Sequence, residues 1–470
     1  MLFEQIEKKV YSAVCEYARN LTRELLEEYD EELRKNRDKS KFKLLTSKTA
    51  AIKTVYGEVE YTRRYYNHLT PEGLIEKTFL LDDVLEIKSV GQYSENLAQI
   101  IADTATQMSY RQTAEKITRM TGIYISHGGV WEVIQSLGER VRNDEQTLIK
   151  AVKADTLKGD IETKVLFEEM DGVYLSIQGN DRRKYKKNKQ EMKVALAYRG
   201  WQPDGKKMKL VDKVMTAGFY NAKDFHALRE ADIRRVYNTD EIDYRILNGD
   251  GATWIKDTYE CDTIYQLDRF HIEQEITRCI GEKSVQKEVR KRFRAGDIDG
   301  CFDYIEAYAN SLIGLEGKEK ALEAVNRLYS YLYNNKEGLL PYTMRGLALP
   351  EPPSGIEYRC NLGTQENHNY SVITKRMKNN RTSWSLNGAT NMAKVLTLRE
   401  NGTLERTIRR YNADELHLPQ ISETALAEVL SASKAPKFDG KGEMVESTHL
   451  PLQDWKQSAN IKTILNCVGL

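Results

Sequence analysis

The spacing of apolar residues divides the first part of the chain into a helix and a hairpin. Residues 1 to about 40 carry apolar side chains at helical spacing and end in a charged run, which predicts an amphipathic surface helix. From Thr49 the period changes to two, and Gly57 separates two β-prone runs rich in Tyr, Lys and Arg. The pattern therefore predicts a hairpin centred on Gly57.

A helical period returns between residues 109 and 137 and predicts two helices joined by a turn. Gly122 is placed to end the first helix in a left-handed conformation, and Ser126 is placed to cap the second. The second helix would present Ser126, His127 and Glu132 outward. Such a helix-turn-helix either binds DNA or only packs, and the pattern leaves both alternatives open.

A β-rich region begins at Val165. VLFEEM predicts one strand, VYLSIQ a second strand after Asp171 and Gly172, and MKVALAY a third. An amphipathic helix between Asn221 and Tyr237 and two further strands, at 244–247 and 263–267, complete the pattern. Three hairpin-connected strands followed by helix, strand, helix and strand is the order of a ribonuclease-H-like mixed sheet.

The remaining signal is helical from His271 to about Tyr342, which predicts an α-helical insertion before the chain returns to mixed character. The expected fold class is multidomain, combining α+β and α/β character. The predicted domains are an N-terminal helical segment (1–45), a β-hairpin region (46–95), a helix-turn-helix (96–150), a first part of the ribonuclease-H-like core (151–270), the α-helical insertion (271–350), a second part of the core (351–410) and a C-terminal tail (411–470).

Length and composition agree with an intracellular, multidomain protein. A chain of 470 residues exceeds one ordinary domain. The six cysteines are scattered without a CxxC pair, which favours reduced thiols. No signal peptide and no run of about 18 apolar residues is present, so we expect a cytoplasmic protein that does not enter the membrane.

The formal net charge of +1 provides no global field that would attract nucleic acid, so any such contact must come from local basic patches. Two patches and the hairpin are candidates for contact with a phosphate backbone. A charged run is more often only a solvated surface, and the hairpin is equally well explained as a structural sheet. The candidate side chains of the two patches are Arg182, Arg183, Lys184, Lys186, Lys187, Lys375, Arg376, Lys378 and Arg381.

Three acids stand out by position. Asp171 follows the first predicted strand of the sheet, Asp250 follows a later strand, and Glu366 follows the helical insertion. In a ribonuclease-H-like sheet the two strands are neighbours, so Asp171 and Asp250 would converge at one edge. Converging carboxylates repel each other, and hard divalent cations with oxygen ligands relieve that repulsion. The pattern predicts a site for two Mg²⁺ ions, with Mn²⁺ as a substitute, that promotes in-line attack on phosphorus.

Residues beside these acids suggest two further features. Gly249 and Gly251 flank Asp250 and would leave room for a metal ion or a phosphate near the backbone. Asp268 and His271 follow the last strand, where the imidazole can donate to a phosphate or orient an acid. The alternatives are that Asp250 is an ordinary turn residue and that His271 only packs.

These segments resemble the ISLre-type insertion-sequence transposases of bacteria, which are related in mechanism to Mutator-like transposases. The resemblance lies in EVEYTRRYY, the SYRQTAEKIT helix pair, EEMDGVY, NGDGATWI, LDRFH and RMKNNRTSWSLNGATNMA. It implies a DDE enzyme with Asp171, Asp250 and Glu366 as its acidic triad and Asp268 and His271 as an auxiliary pair.

One departure concerns the third acid. The family tends to have Glu-Gly-His where this chain has Glu366, Asn367 and His368, so Glu357 is the substitute candidate. Trp384 matches a recurring family tryptophan that would stack on an unpaired base or anchor the fold.

The resemblance further implies double-stranded DNA as partner, at element ends and at the target, a homo-oligomer on DNA, and location at the bacterial nucleoid. The alternatives are a catalytically inactive DNA-binding regulator and a structure-specific nuclease on the same core.

Overall fold

The computed structural model describes residues 3–70, 73–85, 93–184, 188–256, 263–360 and 362–409. The chain divides into two compact units. Of the described residues, the first comprises those up to Leu137 and those from 404 to 409, and the second comprises those from Gly138 to Thr403. The predicted C-terminal tail, 411–470, lies outside the described residues.

The first unit begins with a long helix that packs on a small antiparallel sheet. Val59 and Tyr61 pack with Leu81 and with apolar side chains of the long helix, which accounts for the helical period at the start of the chain. In chain order the elements are α1 (Phe3–Asn36), β1 (Phe42–Thr54), β2 (Gly57–Leu69), β3 (Ile75–Thr78), α2 (Leu80–Leu85), α3 (Glu95–Ala105), α4 (Tyr110–Thr121) and α5 (His127–Lys153).

The predicted ends of α4 and α5 are confirmed. Ser109 and Gln112 form a reciprocal capping box at the start of α4, and Gly122 ends the helix at φ 71° in the left-handed region. The Ser126 hydroxyl accepts a hydrogen bond from the Gly129 amide at 3.0 Å and so caps α5. The hairpin is confirmed as well, with Thr54 paired to Gly57 at its turn.

After α5, which crosses the boundary at Leu137, the second unit contains strands and helices up to α14, and α15 belongs to the first unit. The elements are β4 (Val165–Ser176), β5 (Lys189–Tyr198), β6 (Trp201–Asp204), β7 (Lys207–Leu210), β8 (Val214–Gly218), α6 (Ala222–Val236), β9 (Tyr244–Gly249), α7 (Thr253–Lys256), β10 (Thr263–Leu267), α8 (Arg269–Cys279), α9 (Lys283–Ala295), α10 (Ile298–Leu312), α11 (Glu319–Tyr333), α12 (Gln365–His368), α13 (Lys375–Met377), α14 (Leu386–Glu400) and α15 (Leu404–Arg409). A π-helical turn, Asn369–Thr374, joins α12 to α13.

Among the described residues, five strands of the second unit form one mixed sheet in the order β8-β5-β4-β9-β10. β5 runs antiparallel to both β4 and β8. β9 runs parallel to β4, and β10 runs parallel to β9. The central strand β4 is buried over most of its length, as expected for a strand covered on both faces.

The sheet differs from the predicted one at two places. Asp171 and Gly172 do not form a turn, because β4 continues through them and Asp171 pairs with Val194 of β5. The third antiparallel strand is instead Val214–Gly218, which the pattern did not predict. Its five residues are all buried and show no alternation, so a periodicity of two was absent.

Helices α8 to α11 form the predicted insertion after β10. Their buried side chains, including Val289, Phe293 and Leu328, join one hydrophobic cluster with Leu247 and Tyr265 of the sheet. The insertion is therefore packed on the sheet edge formed by β9 and β10. No helix among the described residues combines the length and the apolar character needed to cross a membrane.

Candidate functional site

Asp171 and Asp250 lie at equivalent positions of neighbouring parallel strands. The register pairs Met170 of β4 with Gly249 of β9, so the next residue on each strand is one of the two acids. β9 ends at Gly249, whereas β4 continues beyond Asp171. The register therefore places Asp171 beside the point where β9 stops and Asp250 follows.

Asp268, His271 and Glu366 belong to other elements and lie near Asp171. Asp268 caps α8, and its backbone amide donates to the Gly249 carbonyl at 2.8 Å. His271 lies in the first turn of α8, and Glu366 lies in α12. One side-chain ligand atom from each of Asp171, His271 and Glu366 lies within 4.8 Å of the other two. We call Asp171, Asp250, Asp268, His271 and Glu366 the acidic cluster.

Hydrogen bonds fix the two most buried carboxylates of the cluster. Asp171 accepts from the Gly172 amide at 2.7 Å through Oδ1 and from Asn369 Nδ2 at 2.7 Å through Oδ2. Asp268 accepts from the Phe270 amide at 3.0 Å. Asn369 was not recognised in the sequence, since a buried asparagine in a helical turn carries no distinctive local signal.

The electrostatics of the cluster favour a bound cation. The pKa of Asp171 is raised to about 7, mainly by burial; the charges of Asp250 and Glu366 contribute to the increase, and His271 and the Gly172 amide oppose it. Burial also raises the pKa of Asp268, against the Phe270 amide and His271. Without a cation, at least one carboxylate in the cluster resists ionisation at neutral pH.

The donor set fits a divalent metal ion. Carboxylate oxygens are the ligands that Mg²⁺ and Mn²⁺ prefer, and imidazole is compatible with Mn²⁺. Nε2 of His271 is buried and has no hydrogen-bond partner among the described residues, although it lies 3.9 Å from both Asp171 Oδ1 and Asp268 Oδ2. A cation or a polar substrate atom would satisfy this nitrogen.

Asp250 lies slightly apart from the tightest group. Its Oδ1 accepts from the Ala252 amide at 2.8 Å, so part of the side chain shapes the turn after β9. Its carbonyl accepts from the Tyr331 hydroxyl at 2.9 Å, which ties the turn to α11. The half-buried carboxylate still acts on Asp171 through its charge.

The glycines around Asp250 serve packing rather than access. Gly251 has φ +88°, and a Cβ there would lie 2.6 Å from Asn335 Oδ1. A Cβ at Gly249 would lie 3.0 Å from the Ile255 side chain. The expectation that these glycines leave space for a metal ion or a phosphate is therefore wrong, because neighbouring side chains already occupy that space.

The two candidates for the third acid occupy different places. Glu366 lies with Asp171 and His271, as described above. Glu357 is exposed, and its backbone pairs with Trp201 in an antiparallel bridge. The geometry thus favours Glu366 over Glu357 as the partner of Asp171.

The basic patches are only partly exposed. Arg182, Arg183 and Lys184 are exposed in the turn Gly179–Lys184, and Lys375, Lys378 and Arg381 are exposed near α13. Lys186 and Lys187 lie outside the described residues. Arg376 differs from the prediction, because it is buried and its guanidinium lies 5.0 Å from the ring centroid of Trp384.

Trp384 has a packing role in this structure. It is 8% exposed, its Nε1 donates to the Met377 carbonyl at 2.9 Å, and its backbone forms a parallel β-bridge with Ile177. Of the two roles considered for this residue, the structure favours the anchor over stacking on a base.

The start of α5 presents an exposed surface in the first unit. His127 and Glu132 are exposed as predicted, and Ser126 is exposed as well, with its hydroxyl forming the predicted helix cap. Exposed aromatic residues that the sequence pattern did not single out, Tyr124 and Trp131, lie on the same stretch. An open cavity of about 580 Å³ adjoins the start of α5. Its lining includes Arg111, Thr118, Arg119, Tyr124 and His127.

The fold and the site define a mixed α/β protein whose five-stranded sheet carries a partly buried cluster of carboxylates and one imidazole. The chain belongs to UPF0236, an uncharacterised protein family whose model matches residues 1–413. It is 24% identical over 413 residues to the UPF0236 protein in the vanSb 3′ region of Streptococcus gallolyticus, covering 85% of this chain and 84% of that protein.

A second relative is a UPF0236 protein of Caldanaerobacter subterraneus subsp. tengcongensis, 24% identical over 84% of this chain and 78% of that protein; its name joins eleven locus designations. Among solved structures, a pre-cleavage Mos1 transpososome matches 52% of this chain and 79% of that chain, at 10% identity and a TM-score of 0.11.

Proposed function

We propose that the protein is a DDE transposase of a bacterial insertion sequence, which binds the terminal inverted repeats of its element and catalyses Mg²⁺-dependent DNA cleavage and strand transfer. The observation that carries the proposal is the acidic cluster. Asp171 and Glu366 come from distant segments and meet beside His271, and Asp250 lies near enough for its charge to raise the pKa of Asp171. Bringing like charges together costs free energy unless they bind a cation, so the arrangement is best explained by metal-dependent chemistry.

The strand order supports a ribonuclease-H-like interpretation of the second unit. β4, β5 and β8 are successive antiparallel strands, and β9 and β10 extend the sheet parallel to β4. In this interpretation Asp171 lies on the first strand, Asp250 follows the fourth, and the helices α8 to α11 are the insertion before Glu366.

The proposed reaction has two steps of phosphoryl transfer. In the first, water attacks a phosphorus at the element end, the bond to the 3′ oxygen breaks, and a 3′-hydroxyl is released. In the second, the oxygen of that hydroxyl attacks a phosphorus of the target and loses its proton, the target's bond from phosphorus to its 3′ oxygen breaks, and that oxygen leaves as a new 3′-hydroxyl. Bound at the cluster, two Mg²⁺ ions, or Mn²⁺ in their place, would activate the attacking oxygen and neutralise charge on the leaving oxygen.

Each residue of the cluster has a distinct proposed role. Asp171, Asp250 and Glu366 hold the metal ions. His271, whose Nε2 is buried without a hydrogen-bond partner among the described residues, donates to a phosphate oxygen when it is protonated. Asp268 has Oδ2 3.9 Å from that nitrogen and orients the imidazole.

DNA recognition is proposed for the α4–α5 pair, with the exposed side chains of His127 and Glu132 reading the element ends. The exposed basic residues near Arg182 and Lys375 would contact the phosphate backbone. Because transposition must hold two element ends, a homo-oligomer on DNA at the bacterial nucleoid is part of the proposal.

The name of the Caldanaerobacter relative supports the proposal independently. It joins eleven locus designations, which is what a gene carried by a self-multiplying element produces in a genome.

A strand-transfer assay tests the proposal. Purified protein is incubated with Mg²⁺, labelled DNA that carries the two flanks of its own gene, and a supercoiled target plasmid. We expect cleavage at the flank ends and a labelled product joined to the plasmid. Binding without cleavage would indicate a DNA-binding regulator, and cleavage without joined product would indicate a structure-specific nuclease.

A further inference from the structure

A buried carboxylate next to the acidic cluster is not used by the proposed chemistry. Glu169 lies two residues before Asp171 on β4, so both side chains point to the same face of the sheet. Glu169 is 0% exposed. A carboxylate in such a position costs free energy unless hydrogen bonds satisfy its oxygens.

Four hydrogen bonds satisfy Glu169, and three of them come from one short segment before α12. Its Oε2 accepts from the amides of Gly363 at 3.0 Å and Gln365 at 3.1 Å. Its Oε1 accepts from the hydroxyls of Thr364 at 2.7 Å and Tyr198 at 2.6 Å. Both oxygens are thus engaged by protein donors, which makes Glu169 unsuited to binding a metal ion directly.

A second set of contacts joins the same segment to Asp171. Gln365 Nε2 donates to Asn369 Oδ1 at 2.8 Å, and Asn369 Nδ2 donates to Asp171 Oδ2 at 2.7 Å. Glu169, Gln365 and Asn369 are each at most 3% exposed. Two positions of β4 are therefore linked to two positions of the helix that carries Glu366.

We propose that Glu169 is a positioning residue, which holds the 363–365 segment on β4 and thereby fixes Glu366 beside Asp171 and His271. This inference rests on the proposed function in so far as the cluster binds metal. Glu366 follows Gln365 directly, so an anchored amide at Gln365 restricts where the Glu366 side chain can begin.

The matched control is Glu168, the neighbouring residue on the opposite face of β4. It is also buried, at 1% exposure, but it faces Arg229 at 3.3 Å and Arg245 at 3.6 Å instead of the 363–365 segment. Removing it disturbs a buried carboxylate of the same strand without touching the link to Glu366.

The experiment compares Glu169→Ala, Glu168→Ala and wild type as full-length proteins. Backbone amide exchange is measured in peptides that cover residues 362–370, and Mn²⁺ affinity is measured by electron paramagnetic resonance. We expect Glu169→Ala to speed exchange in that segment and to weaken Mn²⁺ binding, each about tenfold or more. Glu168→Ala should leave both near wild type, even where its unfolding temperature falls.

Milder variants keep the test decisive if the alanine variant does not fold. Thr364→Val removes one donor to Glu169 with little change in shape, and we expect roughly threefold weaker Mn²⁺ binding. Glu169→Gln should lie between wild type and Glu169→Ala, since an amide oxygen still accepts from the two backbone amides while its NH₂ faces the hydroxyls.

Equal exchange and equal Mn²⁺ affinity in the Glu169 and Glu168 variants would overturn the positioning role. Wild-type protein that binds no Mn²⁺ would contradict the proposed function instead. In that case the exchange rates alone decide whether Glu169 holds the segment.

Discussion

At the scale of single residues, the acidic cluster combines local turn chemistry with long-range electrostatics. Asp250 caps its own turn, as an aspartate between glycines ordinarily does, yet its charge also acts on Asp171. The sequence predicted that these acids act together, but it did not separate their structural and electrostatic roles. Those roles depend on distances that only the sheet register sets.

A first prediction concerns the pH dependence of stability in the metal-free protein. The pKa of Asp171 is about 7 in the folded chain and 3.8 ordinarily, so the folded state binds more protons between these values. Its contribution to stability is therefore fully present below pH 4 and is lost as pH rises through 7. Asp171→Asn should reduce the fall in unfolding temperature between pH 5 and pH 8 by roughly 3–6 °C.

The measurement is thermal unfolding in EDTA at both pH values. The quantity compared is the difference in unfolding temperature between pH 5 and pH 8, in the variant and in wild type. Any effect of the new amide on Asn369 is the same at both pH values and cancels in that difference. A fall of the same size in variant and wild type would show that Asp171 titrates normally.

A second prediction separates chemistry from binding at Asp250. Asp250→Asn keeps the side-chain oxygen that accepts from the Ala252 amide but loses a metal-binding charge. We expect cleavage of element ends to fall on the order of 100-fold or more, with end binding within about twofold of wild type. Asp240→Asn, at an exposed carboxylate paired with Lys158, is the control and should cleave normally. Loss of binding together with cleavage would count against the assignment.

At the scale of secondary-structure elements, the sequence predicted those that short-range signals define. Gly122 and Ser126 set the ends of α4 and α5, and Asn221 caps α6, accepting from the Asp224 amide at 2.8 Å. The strand at 263–267 was predicted with its observed bounds. Each of these features depends on residues within one turn or one strand, so it can be predicted without knowledge of the tertiary structure.

Two features of the sheet could not be predicted, because they depend on pairing between strands that are distant in the chain. An Asp-Gly pair favours a turn locally, but pairing of β4 with β5 keeps the strand extended through Asp171 and Gly172. β8 is a short buried strand without alternation, and its identity depends on pairing with β5. Pairing between strands distant in the chain determined both the course of β4 and the presence of β8.

A third prediction belongs to α5. Replacing the outward-facing His127 and Glu132 with alanine should weaken binding to element ends about tenfold, because base contacts in the major groove contribute roughly 1–3 kcal/mol. Glu139→Ala, at an exposed position about two turns further along the same helix, should bind as wild type does. Fluorescence anisotropy with labelled ends measures the binding, and Mn²⁺ affinity should not change. Unaltered binding by the double variant would exclude α5 as the reader of the ends.

At the scale of the whole molecule, positive and negative charges nearly balance, and positive charge is concentrated only in local clusters. The formal net charge is only +1, so binding to a phosphate backbone has to rely on exposed clusters such as the one near Lys375. The residues proposed for end recognition lie in the first unit or at its border, and those proposed for chemistry lie in the second. Variants in one set should therefore leave the other property intact.

A fourth prediction uses salt dependence to count phosphate contacts. Lys375→Ala with Lys378→Ala should make the slope of log binding constant against log salt less steep by about 2, since each lost contact contributes roughly 0.9. Lys158→Ala with Lys164→Ala removes the same charge from surface lysines that pair with Asp240 and Glu241, and it should leave the slope unchanged. Equal slopes in all three proteins would show that the 375–378 patch does not contact DNA.

The sequence by itself determined the helices and their caps, the hairpin at Gly57, the helical insertion and the acids from which a metal site would be built. These follow from hydrophobic period, turn chemistry and charge, which act over a few residues. Tertiary structure decided that β4 passes through Asp171, that Asn335 fills the space at Gly251, that Trp384 and Arg376 pack together, and that Glu169 anchors the segment before Glu366. These depend on contacts between residues far apart in the chain, for which no local pattern carries information.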